Sequence, residues 1–338
     1  MRKYLVTGGA GFIGSNFIEF LLSSRSDVFI VNLDSMTYAG SEENMSSFKD
    51  SPFYAFVKGD ICDRELVTRL FEEYDFNGVF HFAAESHVDN SILGPEEFIR
   101  TNVHGTFTLL DVARNHWMDS PHNTKANHQD SRFLHVSTDE VYGSLGKEGL
   151  FTESTPYAPN SPYSASKASS DFIVRSYFHT YGMNVVTTNC SNNYGPNQHD
   201  EKLIPTIVRK ALDNENIPIY GDGLNVRDWL YVNDHCSGIW LAFAEGSSGE
   251  TYNIGGRNER TNIYIAESIC SILDRLAPKE KSYKEQISFV KDRPGHDRRY
   301  AIDATKIESD LGWKAKENFE SGIEITIIYY LKKYTHGN

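Results

Sequence analysis

Apolar residues are distributed along this chain in two rhythms. The first is a set of short continuous runs over residues 3–7, 28–34, 53–57, 79–82 and 133–136. Runs of this length with little polar alternation predict strands buried on both faces. The second is a helical period, carried by Phe17, Ile18, Phe20 and Leu21, then by residues 64–74, then by a long amphipathic stretch over 95–117. Residues 118–131 are polar and irregular and predict a surface loop. Helix 162–181 follows, with Gly182 suited to its C-cap, then strand 184–189 and a turn-rich stretch over 191–196. Strands alternating with helices predict a doubly wound parallel α/β sheet with helices on both faces. Ligands bind such sheets at the C-terminal strand ends, where the chain places a glycine loop, Asp34, Ala83 and Thr138. Residues 218–220 predict a strand, 232–243 a helix that returns to the sheet, and 263–276 and 319–330 two helices of a second lobe. The expected division is therefore 1–189 with about 228–250 as the sheet domain. About 190–227 with 251–338 would form a smaller C-terminal α/β lobe that binds substrate.

The loop after the first strand runs Gly8-Gly9-Ala10-Gly11-Phe12-Ile13-Gly14 and opens directly into a helical pattern. Glycines at these spacings allow a tight turn, close backbone approach to a pyrophosphate, and a helix N-terminus aimed at it. Asp34 closes the second strand 20 residues after Gly14, where a ribose-binding carboxylate belongs. Strand, loop, helix and acid together predict a Rossmann-type dinucleotide site. An acid at 34 with no following arginine disfavours a 2′-phosphate, so NAD is expected over NADP. Asp60, at the end of the third strand, could accept from the adenine amino group or could cap helix 64–74.

Two further segments carry chemistry. Ser137-Thr138-Asp139-Glu140 delivers a hydroxyl and two carboxylates to a strand end. Tyr163 and Lys167 stand four apart behind Pro162, which places phenol and ammonium on one helix face. A phenol beside a fixed cation and a hydroxyl donor is expected to titrate nearer neutrality and serve as a base toward a sugar hydroxyl. The acid pair allows a second proton transfer in the same pocket. Its bland alternative is a pair of acids at a helix start.

Composition narrows the class. The 338 residues carry a net charge of −13, which argues against nucleic acid as the main partner. Four cysteines lie far apart without a CxxC, as expected of buried thiols in a reducing compartment, so the cytoplasm is the expected location. No signal peptide or membrane-length apolar run is read, and no His/Asp/Glu spacing points to a metal.

With these residues identified, the chain resembles the extended short-chain dehydrogenase/reductase family, through TGGAGFIG (7–14), Thr138, and Tyr163 with Lys167. Within it, STDEVYG (137–143) is similar to the nucleotide-sugar 4,6-dehydratases. So are AAESHVD (83–89), SPYSASKASSD (161–171), NCSNNYGP (189–196), EKLIP (201–205), RDWLYV (227–232), YNIGG (252–256) and DRPGHDRRYAID (292–303). Asn90 and Asp200 depart from that pattern, where arginine and proline are usual. The resemblance implies Thr138, Asp139, Glu140, Tyr163 and Lys167 as catalytic residues and a tightly held, recycled NAD. It implies NAD contacts from Gly8, Gly11, Phe12, Ile13, Gly14, Asp34, Ser35, Thr37, Asp60, Ile61, Phe82, Ala83, Ala84, Ser86, Thr101, Tyr163, Lys167 and Asn193. Substrate contacts implied are Ser86, His87, Thr138, Asn192, Lys202, Leu203, Pro218, Tyr220, Arg227, Asn262, Arg293 and His296. The implied substrate is dTDP-glucose, with UDP-glucose as the alternative nucleotide, and the implied assembly is a homodimer paired through helices 95–117 and 162–181. Rival readings are a sugar-nucleotide 4-epimerase, which would not need the acid pair, and a non-enzymatic NAD-binding scaffold.

Overall fold

The computed structural model describes residues 1–292 and 297–336. Its centre is a seven-stranded sheet built from β1 (Arg2–Thr7), β2 (Val28–Asp34), β3 (Tyr54–Lys58), β4 (Gly78–His81), β5 (Arg132–Thr138), β6 (Val185–Cys190) and an edge strand, Thr251–Ile254. The order across it is Thr251–Ile254, β6, β5, β4, β1, β2, β3, and every neighbouring pair is parallel. The order doubles back at β1 and β4, so their C-terminal ends frame the crevice in which such sheets bind ligands.

Both faces of the sheet are covered. Alternate residues of β1 point opposite ways: Tyr4 and Val6 pack with Phe17 and Ile18 of α1 (Phe12–Ser24) and with Ile239 and Phe243 of helix Val232–Glu245. Leu5 packs on the other side with Val67 and Phe71 of α2 (Arg64–Tyr74), Leu109 of α3 (Thr106–Trp117) and Val174 of α4 (Pro162–Tyr181). A separate core joins Ile204, Ile207, Ile265, Ile269, Phe319 and Ile327, around a three-stranded sheet of Asn192–Tyr194, Val226–Tyr231 and Glu259–Thr261.

Three expectations are revised. Thr251–Ile254 belongs to the large sheet, pairing with β6, and Ala304, Ile307 and Trp313 pack in that sheet's core. We propose that this strand and the 304–313 segment belong with the sheet domain, and that the lobe takes in the residues between and after them. The helix expected over 95–117 is a helical turn Pro95–Phe98, a π-helical stretch Ile99–Gly105, then α3. The wider π turn re-aims Asn102, whose amide bonds both backbone groups of Glu85 (2.8 and 3.0 Å) and Ser166 Oγ (2.8 Å). Residues 118–131 contain a small hairpin, Met118–Ser120 with Asn123–Thr124, and a 3₁₀ turn over Ala126–His128.

Candidate active site

A cavity of about 400 Å³ opens at the C-terminal ends of β1, β2, β4 and β5. Its floor is the glycine loop. Gly8 has φ +75°, and a Cβ there would lie 2.7 Å from the backbone nitrogen of Ala83. A Cβ on Gly14 would lie 2.3 Å from the Gly8 carbonyl oxygen. Gly11 is the N-cap of α1 and brings no side chain to its first amides, which stay available to an anion. Asp34 is nearly buried. Its two oxygens accept from Ala10 N (2.9 Å) and Met36 N (2.8 Å), and each keeps acceptor capacity for a ribose diol. These features fit a dinucleotide and leave no room for side chains in its place.

Every residue expected to contact NAD lines this cavity, from Gly8, Gly11, Phe12, Ile13 and Gly14 through Ser35, Thr37, Ile61, Phe82, Ala83, Ala84, Ser86 and Thr101 to Asn193. Asp60 lines it too, but not as a helix cap: Asp63 caps α2, accepting from Leu66 N at 3.0 Å. Asp60 instead accepts from Cys62 N (2.8 Å) and pairs with Arg100.

The catalytic candidates converge at the far end. Thr138, Asp139, Glu140, Tyr163 and Lys167 all line the cavity, with Ser191 and Asn192. Thr138 ends β5 in extended conformation and accepts from Glu140 N at 3.3 Å, so the acid pair starts a 3₁₀ turn and both acids face one space. Asp139 is buried, and its Oδ2 has no hydrogen-bond partner in the protein. Burial, then the charges of Glu140 and Asp228, push its carboxyl well above the usual range, with Arg227 and Thr138 opposing. A raised carboxyl with an unpartnered oxygen suits a proton donor. Helix α4 begins in a capping box between Ser161 and Ser164, with Pro162 in its first turn, and this seats Tyr163 and Lys167 against β5. Lys167 Nζ donates to Val136 O at 2.8 Å.

The expected fall in the phenol's pKa is not found. Burial, then Glu140 and Cys190, raise Tyr163 well above its ordinary value, and only Thr138 is seen to lower it. The ammonium of Lys167 is held by a main-chain carbonyl, while the carboxylate of Glu140 bears on the phenol.

The nucleotide side is more dispersed. Ser86, Asn192 and Lys202 line the cavity; His87, Leu203, Pro218, Tyr220, Arg227 and Asn262 do not. His87 Nδ1 accepts from Asn90 N (3.3 Å). Leu203 and Asn262 begin helices, and Pro218 and Tyr220 lie on a strand paired with Ile287–Val290. Arg227 is buried, donates to Val226 O (2.8 Å) and Asp297 O (3.0 Å), and stacks over Tyr300. Arg293 and His296 lie outside the described residues. Sequence reasoning missed Glu85, Glu97, Arg100, Gln198, His199 and Glu201, all in the lining. The turn-rich stretch after 191 was the signal for three of these. None pointed to Arg100, which the π-helical stretch carries.

Fold and site together define an NAD-dependent enzyme class, and the chain belongs to the sugar-nucleotide dehydratases of the extended short-chain dehydrogenase/reductase family. The family described as GDP-mannose 4,6 dehydratase matches residues 5–326. More particularly, the dTDP-glucose 4,6-dehydratase of Xanthomonas campestris pv. campestris is 55% identical over 337 residues, covering 99% of this chain and 95% of the relative. The solved dTDP-glucose 4,6-dehydratase of Bacillus anthracis, in complex with NAD, is 47% identical with a TM-score of 0.87, covering 98% of this chain and 97% of that one. A UDP-glucose 4-epimerase from Thermotoga maritima, solved with UDP-glucose, reaches a TM-score of 0.85 at 27% identity, covering 98% and 100%. Backbone shape is thus common to both activities, and sequence separates them.

Proposed function

We propose that this enzyme converts dTDP-glucose to dTDP-4-keto-6-deoxyglucose and water, by oxidation at C4, elimination across C5 and C6, and reduction at C6. The observation that carries it is the buried Asp139 carboxyl, with an unpartnered oxygen, beside Glu140 in the same cavity as Tyr163. An epimerase has no use for such a pair. NAD is the cofactor. When bound, it would supply the hydride acceptor for C4, the hydride donor for C6 and a positive charge to set against the Glu140 carboxylate.

The chain's residues then divide the work. The glycine loop and the α1 N-terminus would hold the pyrophosphate, Asp34 the adenosine ribose, and Lys167 the nicotinamide ribose. Thr138 would donate to the C4 oxygen while Tyr163 takes its proton. The C4 ketone acidifies C5–H, so a carboxylate suffices as base, and Glu140 would remove that proton and later return it. Asp139, whose carboxyl burial favours in the protonated form, would donate to the C6 oxygen as it leaves as water. Lys202, in the cavity lining, would donate to a diphosphate in this acidic protein, while Arg227 and Asn262 stand outside that lining.

The same reading extends to a homodimer and a cytoplasmic setting. Ile99, Phe107 and Phe172 are exposed at 51, 37 and 58% on the two helical stretches expected to pair, which favours their burial against a second copy. The cysteines are all free, and no helix among the described residues is long and apolar enough to cross a membrane. Incubation with dTDP-glucose in deuterated water tests the activity. A 4-keto-6-deoxy product with deuterium at C5 is expected, whereas inversion at C4 without loss of water would overturn the reading. Competition between dTDP and UDP then ranks the nucleotides.

A further inference from the structure

Away from the cavity, three side chains distant in sequence meet at one point. Asp75, His116 and His128 each present a ligand atom, all within 4.8 Å of one another. His116 Nε2 lies 2.9 Å and His128 Nε2 3.2 Å from the same oxygen, Asp75 Oδ1. A first-row divalent cation about 2.0–2.1 Å from each ligand holds neighbouring donors roughly 2.9–3.4 Å apart. Both measured separations fall in that span.

The supports of the three groups are rigid. Asp75 is the C-cap of α2 and adopts φ 54°, a left-handed conformation that aspartate tolerates. His116 lies in the last turn of α3. His128 is 2% exposed, in the turn after the small hairpin, and its Nδ1 lies 3.0 Å from Ser131 Oγ. A partner on Nδ1 fixes the ring and leaves Nε2 for the cluster, as the outer hydrogen bond of a metal-bound histidine does. The Asp75 side chain is 56% exposed, which leaves one side open to water. Two ammoniums oppose a cation, Lys3 toward Asp75 and Lys125 toward His128. Lys125 Nζ is engaged by the carbonyls of His116 (2.7 Å) and Asn115 (3.4 Å).

We propose that Asp75, His116 and His128 form a binding site for a divalent zinc-class cation that staples the 118–131 segment to the ends of α2 and α3. Two imidazoles and one carboxylate suit Zn²⁺ and its first-row neighbours over Mg²⁺ or Ca²⁺, which prefer all-oxygen shells. The site precedes β4 and β5, at the sheet edge opposite the cavity, so its role is structural and not part of the dehydration.

The test uses the full chain, stripped with a chelator and titrated with Zn²⁺ alone by calorimetry and thermal unfolding. One equivalent is expected to bind at micromolar or tighter affinity and to raise the melting temperature, with dehydratase turnover unchanged. Asp75→Asn keeps a residue suited to the left-handed backbone, and His116→Gln changes a side chain that is 22% exposed. Each should weaken Zn²⁺ at least tenfold while leaving the metal-free melting temperature near that of the parent. Absence of a stoichiometric site, or binding of equal strength in both variants, overturns the proposal.

Discussion

Asp171 lies one helical turn beyond Lys167 on α4, buried, and it holds a charge under the catalytic end of the cavity. Its Oδ2 accepts from Ser137 Oγ (2.8 Å) and Tyr157 OH (2.9 Å). Its Oδ1 faces His135 Nε2 at 3.1 Å without the alignment of a hydrogen bond. Burial raises the carboxyl from 3.8 to about 6, with Lys167, Ser137 and Tyr157 pulling the other way. The folded protein therefore binds this proton more tightly than the unfolded chain. Stability from this group is intact below about pH 4, falls as pH rises from about 4 to about 6, and levels off above. A shift of roughly two units corresponds to about 3 kcal/mol. Asp171→Asn is nearly isosteric and does not titrate. The unfolding free energy of the variant minus that of the parent should thus grow by about 3 kcal/mol in the variant's favour between pH 4 and 7. Urea unfolding at several pH values measures this difference, and other titrating groups cancel in it. A second readout separates positioning from folding. Burial lowers the Lys167 pKa and Asp171 holds it up, so the alkaline limb of dehydratase activity should move to lower pH in the variant. A pH-independent stability difference with an unmoved alkaline limb would refute the reasoning.

Four other outcomes follow from the geometry. Asp139→Asn should keep C4 oxidation, seen as transient reduced-cofactor absorbance, and lose dehydration by about 10²–10⁴-fold. Glu140→Gln should abolish C5 proton exchange with solvent, and retained exchange would remove it as the base. Gly14→Ala puts a methyl 2.3 Å from the Gly8 carbonyl, so the variant should emerge from gel filtration without NAD. Tyr330→Phe removes the bonds that helix Phe319–His336 makes to Gln198 O (2.7 Å) and Gly195 O (3.3 Å), in the segment leading to the cavity wall. It should cost about 1–3 kcal/mol in urea unfolding and speed NAD release; unchanged NAD retention would disconnect that helix from the cavity.

Much of this protein is dictated locally and can be read from the chain. The glycine loop, its flanking strand and helix, and Asp34 lie within 34 residues, and their geometry follows from short-range sterics. Tyr163 and Lys167 are one turn apart, so the helix period alone brings them to a common face, while the adjacent Asp139 and Glu140 share one space only because the strand gives way to a 3₁₀ turn at Thr138. Other features depend on groups far apart in sequence. Thr251–Ile254 is too short to announce its sheet, and its place is decided by pairing with β6. The π turn exists where Asn102 reaches both Glu85 and Ser166, a contact no periodicity encodes. The raised pKa values of Asp139 and Tyr163 come from burial and from the charges that surround them in space. The meeting of Asp75, His116 and His128 has no motif at all, because α2, α3 and the hairpin turn supply one ligand each. Local sterics and period therefore settle which chemistry the chain carries. Desolvation and the electric field, which need the packed structure, settle the state in which each group is held.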